Sequence, residues 1–186
     1  MKSRSLLTKA VVSGLLFFQF FSVSASDLNS DIQEVIKGKN AQVGVAVLYK
    51  DDAVSVNNDD QYPLMSVFKF HIALAVLKKM EQEGIPLTAV VMLGPSDIDT
   101  KTWSPMYKKY KSKKITLSYA DLINYMVPQS DNNACNWLIN FVGGIQNVNG
   151  FIKKLGIDQI QLIETEKSME HDIRKSYNNW SRPLSV

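Results

Sequence analysis

Residues Phe68–Met80 read FKFHIALAVLKKM, a segment apolar almost all round a helix and stopped by Gly84 and Pro86. A helix with apolar groups on every side lies in the middle of a protein, so other elements must be wrapped around it. Lys69 stands inside this segment, where an unpaired charge is costly. A fold for this chain therefore needs a cover for the helix and a partner for the lysine.

The covering elements are readable in outline. Residues 28–37 place Leu28, Ile32, Val35 and Ile36 at helical spacing ahead of Gly38, which predicts a helix. Val43–Tyr49 is an unbroken apolar run, the pattern of a strand covered on both faces. Lys50-Asp51-Asp52 makes a turn into Ala53–Asn57, which alternates as a half-exposed strand. Thr116–Val127 reads as a second helix, capped by Ser118 and Asp121 and halted at Pro128. Asn132–Val142 is a third, closed by Gly143-Gly144, and Phe151–Leu155 a short fourth. Beyond Ile163 the chain is polar and irregular. The first strand has one clear partner, and a two-stranded hairpin is marginal alone. Either helices cover everything or the remaining strands of the sheet are missing.

The N-terminus carries an address. Lys2, Arg4 and Lys9 precede the apolar run AVVSGLLFFQFF, and Val23-Ser24-Ala25 comes after it. A basic start, a short apolar core and a small-residue end predict a secretory signal peptide over residues 1–25. The rival reading is an uncleaved anchor, but the run is shorter than the roughly 18–20 apolar residues of a span. No cysteine follows the cut to take a lipid. A secreted or periplasmic protein without stable membrane association after cleavage is expected.

Charge and composition exclude several functions. The chain has 21 Lys and Arg against 18 Asp and Glu; without the three basic residues of the signal the mature chain is neutral. The five lysines of Tyr107–Lys114 then read as a solvated loop, not a nucleic-acid patch. At 186 residues, 45% hydrophobic and 21% charged, it is one domain or a partial two-lobed one, and not a disordered, collagen-like or coiled-coil chain. One cysteine excludes a disulfide framework and a Cys-rich zinc site. Cys135 reads as a small buried apolar residue. His71 reads as a satisfied core histidine and His171 as a surface loop residue; two histidines are too few for a His-based metal cluster.

Two motifs carry chemistry. Ser66 and Lys69 stand three apart at the start of the central helix, on one face, so the amine can take the hydroxyl proton. The helix N-terminus favours a developing alkoxide and offers N–H groups to an oxyanion. Ser130-Asp131-Asn132 lies in a loop between two helices. By itself it is a helix-capping cluster. Beside Ser66 and Lys69, Ser130 can relay a proton to a leaving nitrogen and Asn132 can hold a substrate amide.

With these motifs the sequence resembles a secreted class A serine β-lactamase of the extended-spectrum, cephalosporin-preferring branch. Trp103-Ser104-Pro105 is similar to that family's aromatic-Ser-Pro segment at the rim of the site. Asn136 matches an Asn supporting the loop of the general base. Thr165–Met169 resembles that loop (E-x-x-M), and Tyr177–Trp180 resembles the family segment just C-terminal to it. The resemblance covers residues 28–186. It implies an α+β (mixed α/β) β-lactamase/transpeptidase-like fold. Residues 26–60 would be the first helix and hairpin of the α/β domain, and 61–186 a helical domain, complete or nearly so.

It also implies a reaction: Ser66 attacks the lactam carbonyl, Lys69 or Glu166 through a water is the base, and Ser130 protonates the nitrogen. Glu166 then activates the deacylating water, and Asn132 and Trp103 bind substrate. The implied partner is a small-molecule β-lactam, with no nucleic acid, no metal or organic cofactor, and a monomeric state.

Three departures stand out. Glu170, expected with Asn136 to support the loop, occupies the position of a family Asn that helps hold the water; beside a buried Glu166 it would raise the pair's pKa values. Glu164 and Asn179 replace the usual Arg–Asp salt bridge, which allows another loop conformation. No K-T-G is present, so the C-terminal strands and that segment are expected to be absent and the chain a C-terminally truncated member of low activity. The alternatives are a penicillin-binding D,D-peptidase-like acyltransferase, disfavoured by E-x-x-M, and a non-catalytic product that binds β-lactams without turnover.

Overall fold

The computed structural model describes residues 25–112 and 114–186. The signal expected over residues 1–25 lies, but for Ala25, outside them. Helix α1 (Ala25–Ile36) is followed by β1 (Val45–Tyr49) and β2 (Asp52–Val56), an antiparallel pair in register Val45↔Val56 to Tyr49↔Asp52. α1 packs on β2, where Asn29 Nδ2 donates to the Ser55 carbonyl at 3.2 Å. Among the described residues β1 pairs with no other strand. The expectation of a strand covered on both faces is corrected: Leu48 and Tyr49 are exposed.

β3 (Tyr62–Pro63) leads through a 3₁₀ turn (Met65–Val67) into α2 (Phe68–Glu83). α2 ends at Gly84, whose φ of 66° closes the helix with N–H bonds to the Glu81 and Met80 carbonyls, a left-handed cap that glycine adopts without Cβ strain. Then come β4 (Val90–Leu93), α3 (Pro105–Tyr110), β5 (Ile115–Ser118), α4 (Tyr119–Met126), α5 (Asn132–Phe141), α6 (Ile145–Lys154), β6 (Ile160–Gln161), α7 (Glu166–His171), a 3₁₀ stretch (Ile173–Asn178), and β7 (Trp180–Ser181). β4 pairs with β5, and β7 lies between β3 and β6, all antiparallel.

The core is built on α2, which packs against α5 and α6. Phe68, Ile72 and Val76 of α2, Leu122 and Met126 of α4, Leu138 of α5 and Val148 of α6 are fully enclosed in one cluster. Each side chain of this size contributes about 1.5–3 kcal/mol by leaving water. α2 is thus central, but not covered all round: Phe70 and Leu77 are 49% and 41% exposed.

Other expectations are corrected locally. Thr116 and Leu117 belong to β5 and not to the helix, because β4 offers them a ladder; α4 starts only at Tyr119, behind the Ser118–Asp121 capping box. With β3 to β7 the chain has more strands than the two legible in sequence. The fourth helix begins at Ile145, directly after Gly144, and not at Phe151. The segment after Ile163 is largely ordered into α7, the 3₁₀ stretch and β7. Pro105–Tyr110, read in part as loop, is a helix that Ser104 caps by accepting from Tyr107 N–H.

Candidate active site

Lys69 is 1% exposed, at the first turn of α2. Its Nζ lies 3.3 Å from Ser66 Oγ, 2.9 Å from Ser130 Oγ, 3.0 Å from the Ser130 carbonyl and 2.8 Å from Asn132 Oδ1. The Glu166 carboxylate is nearest, Oε1 at 2.7 Å. An ammonium has three protons for these five acceptors. The charge that looked costly in sequence is fully partnered. Ser130 Oγ donates to Ser66 Oγ at 2.7 Å. Ser66, Lys69, Ser130, Asn132 and Glu166 therefore converge on one ammonium.

Each arrives from a different element, and the local chemistry shows why. Ser66 sits in the 3₁₀ turn entering α2, beside Met65 with a φ of 45°; Ser130 has a φ of 55°. Left-handed backbone at non-glycine residues costs on the order of 1–3 kcal/mol and concentrates at sites that need a fixed geometry. Asn132 opens α5. Glu166 opens α7, where Thr165 accepts from Ser168 N–H as the cap.

Asp131 holds the Ser130–Asn132 loop in place. It is 0% exposed. Its Oδ2 accepts from Ser104 Oγ at 2.8 Å and Met106 N–H at 2.7 Å, and its Oδ1 from Ala134 N–H at 3.0 Å. In sequence it reads only as part of a capping cluster; nothing in the letters signals the bonds to Ser104 and Met106.

Trp103 is 54% exposed at the rim. Its Nε1 donates to the Gln129 carbonyl at 3.1 Å, Lys108 Nζ stands 3.8 Å over its ring, and its carbonyl accepts from Asn132 N–H at 3.0 Å.

The Glu166 loop is anchored without the salt bridge. Asn136 Oδ1 accepts from Lys167 N–H at 3.2 Å. Asn179, fully buried, accepts on Oδ1 from Ile163 and Glu164 N–H at 2.8 and 2.9 Å and donates from Nδ2 to the Glu164 carbonyl at 2.9 Å. Its own carbonyl accepts from Leu64 N–H at 2.9 Å, two residues before Ser66. The neutral side-chain amide of Asn179 thus joins the two ends of the loop, and its backbone carbonyl ties them to the segment carrying the serine. Glu170 is exposed and forms no side-chain hydrogen bond among the described residues, so it neither braces the loop as expected nor shares a buried environment with Glu166.

Other titratable groups lie apart from this arrangement. Burial pushes the Cys135 thiol well up, and the Glu166 charge adds to that while Lys69 opposes it; a protonated, enclosed thiol is no nucleophile. His71 is buried, but its Nδ1 has no hydrogen-bond partner among the described residues, which corrects the reading of a satisfied core histidine. Burial lowers its pKa; the Val67 carbonyl offsets this in part without reaching hydrogen-bond geometry. His171 ends α7, in a helix and not a loop. Two clefts, of about 320 Å³ beside Asp97, Asn136 and Lys167 and about 500 Å³ between α2 and α6, include neither Ser66 nor Lys69. The serine is reached from the open surface, where it is exposed.

A sequence profile described as the beta-lactamase enzyme family matches residues 27–183. A beta-lactamase of Bacteroides uniformis is 42% identical over 87% of this chain and 55% of its own length. Beta-lactamase VEB-1 of Pseudomonas aeruginosa is 32% identical over 92% of this chain and 60% of its own. Among solved structures, TLA-3 extended-spectrum beta-lactamase superposes with a TM-score of 0.84 at 39% identity, over 87% of this chain and 60% of that one. A class A beta-lactamase from Bacteroides cellulosilyticus gives 0.83 at 40%, over 87% and 58%. The chain belongs to the beta-lactamase enzyme family, with the class A fold. It spans 55–60% of the length of these relatives.

Proposed function

We propose that the protein containing this chain hydrolyses β-lactam antibiotics by acylation of Ser66 and Glu166-assisted deacylation. The observation that carries this reading is the Lys69 ammonium within 3.3 Å of Ser66, Ser130, Asn132 and Glu166 together. Ser66 Oγ would attack the lactam carbonyl carbon. Its proton would leave to Lys69, once that amine has passed a proton to Glu166 across 2.7 Å, or to Glu166 through a water. The carbonyl–nitrogen bond would then break, with Ser130 Oγ donating its proton to the departing nitrogen and regaining one from Lys69 across 2.9 Å, and Glu166 would return its proton to Lys69 and become a carboxylate again. In the second step water would attack the Ser66 ester, with Glu166 taking its proton through the carboxylate oxygen that Lys69 does not occupy.

Asn132 and Trp103 are proposed to bind substrate, with Asn136 and Asn179 supporting the loop. Resistance to β-lactams is the role this gives the protein. Export to the periplasm or outside by the residue 1–25 signal, a monomeric state, and a division at residue 60 between α/β and helical parts complete the reading. No helix among the described residues is long and apolar enough to cross a membrane.

The test is intact-mass spectrometry after exposure to a penicillin and a cephalosporin. An adduct of one opened lactam mapping to Ser66, and absent from Ser66→Ala, is expected. An adduct of the same size on the Ala variant overturns the assignment.

A further inference from the structure

Asn132 is held at both ends of its amide. Oδ1 accepts from Lys69 Nζ at 2.8 Å, and Nδ2 donates to Thr102 Oγ1 at 3.0 Å. An amide nitrogen carries two hydrogens. With one directed to Thr102, a single N–H remains to meet a ligand. Lys69 alone fixes which end of the amide faces inward, because the ammonium can only donate. It does not fix how the outer end is turned.

Thr102 is built to do that. It is 9% exposed and lies in a segment stitched to the start of α5. Asp99 N–H donates to Asn133 Oδ1 at 2.9 Å and Asn133 Nδ2 to the Asp99 carbonyl at 3.0 Å. Asn132 N–H donates to the Trp103 carbonyl at 3.0 Å, and Ser104 Oγ to Asp131 at 2.8 Å. The backbone on both sides of Thr102 is thus tied to residues 131–133. The hydroxyl is delivered to Nδ2 by a rigid frame, and little ordering is left to do when a ligand arrives.

We propose that Thr102 is a positioning residue: its hydroxyl aims the free N–H of Asn132 at the amide carbonyl of a β-lactam's acylamino side chain, and so favours acylamino β-lactams over those lacking that carbonyl. The inference rests on the lactamase reading above. It concerns a residue that touches no reacting atom and acts through Asn132.

The test uses the full-length protein, with the second-order acylation constant measured for a fluorescent acylamino penicillin and, by competition, for 6-aminopenicillanic acid, which has a free amine there. Thr102→Val keeps the side-chain shape and removes the acceptor. It should lower the constant for the acylamino compound about threefold to tenfold, the effect of one lost hydrogen bond, and leave that for 6-aminopenicillanic acid unchanged. Thr102→Ser should restore the constant for the acylamino compound and leave that for 6-aminopenicillanic acid unchanged. Thr102→Ala, which puts no methyl in the place of the oxygen, should show the same selectivity if the Val variant folds poorly. Equal losses for both compounds, or none for either, overturn the inference alone. Labelling that Ser66→Ala fails to abolish overturns the lactamase reading and this inference with it.

Discussion

Lys69 Nζ and Glu166 Oε1 form an ion pair of 2.7 Å between side chains 1% and 11% exposed. It joins the first turn of α2 to the first turn of α7. The pair therefore links the helix behind the proposed nucleophile to the loop proposed to carry the deacylating base. Removing one partner leaves the other charge enclosed without compensation. Lys69→Met should destabilise by about 3 kcal/mol, the lower range for breaking a buried pair. The double variant Lys69→Met/Glu166→Leu should recover part of that loss in urea titrations. Two single effects that simply add in the double variant would contradict the pairing.

Asp131 tests the frame around the site. Asp131→Ala strips Met106 N–H, Ala134 N–H and Ser104 Oγ of their acceptor. Hydrogen bonds to a charged group are worth about 1.5–3 kcal/mol each, so unfolding free energy should fall by at least about 3 kcal/mol. Asp131→Asn, which keeps acceptor capacity on one oxygen, should lose less. Urea midpoints of the three proteins check the order.

The difference between what the letters reveal and what they conceal is visible in these residues. Lys69 is conspicuous because it breaks an apolar helix; a charge there has to have partners, and S-x-x-K with S-D-N names three of them, Ser66, Ser130 and Asn132. Asp131 is hidden inside that tripeptide, since two of its partners are backbone N–H groups that any residue supplies and the third is a serine hydroxyl 27 residues away. Asn179 shows in sequence only as a missing salt bridge, though its amide makes the loop's closing bonds. β4 and β5 escape because four-residue strands have no period to read, and Tyr119 to Met126 extend a helical pattern backwards over Thr116. β3, β6 and β7 are two residues each, set by tertiary pairing. The exposed flank of α2 is decided by the elements around the helix, which its own apolar pattern does not encode.

His71 gives the chain a pH dependence of defined sign. Burial keeps its imidazole below the ordinary value of about 6.5. The unfolded chain therefore takes up a proton first as pH falls. His71's contribution is complete above about pH 6.5 and is lost below it, with a slope of up to about 1.4 kcal/mol per pH unit. His71→Leu should flatten the stability profile below about pH 6.5 relative to the unsubstituted chain. Parallel profiles would contradict the assignment.

Asn179→Asp tests the neutral anchor of the loop. The new carboxylate cannot donate to the Glu164 carbonyl and brings a negative charge beside it, so a buried acceptor is left unpaired. A loss of about 1–3 kcal/mol is expected. Deacylation should slow more than acylation, because the loop carries Glu166; single-turnover mass measurements separate the two steps.

The proposed reaction turns on which group releases the acyl chain from Ser66. The direct measurement is the lifetime of the acyl-enzyme by intact-mass spectrometry in the full-length protein, comparing Glu166→Ala with Glu170→Asn. Glu166 touches Lys69, whereas Glu170 is exposed four residues along. The prediction is a burst of one equivalent and a persistent adduct for Glu166→Ala, with normal release for Glu170→Asn. Turnover that continues in Glu166→Ala, while Glu170→Asn traps the adduct, would contradict it.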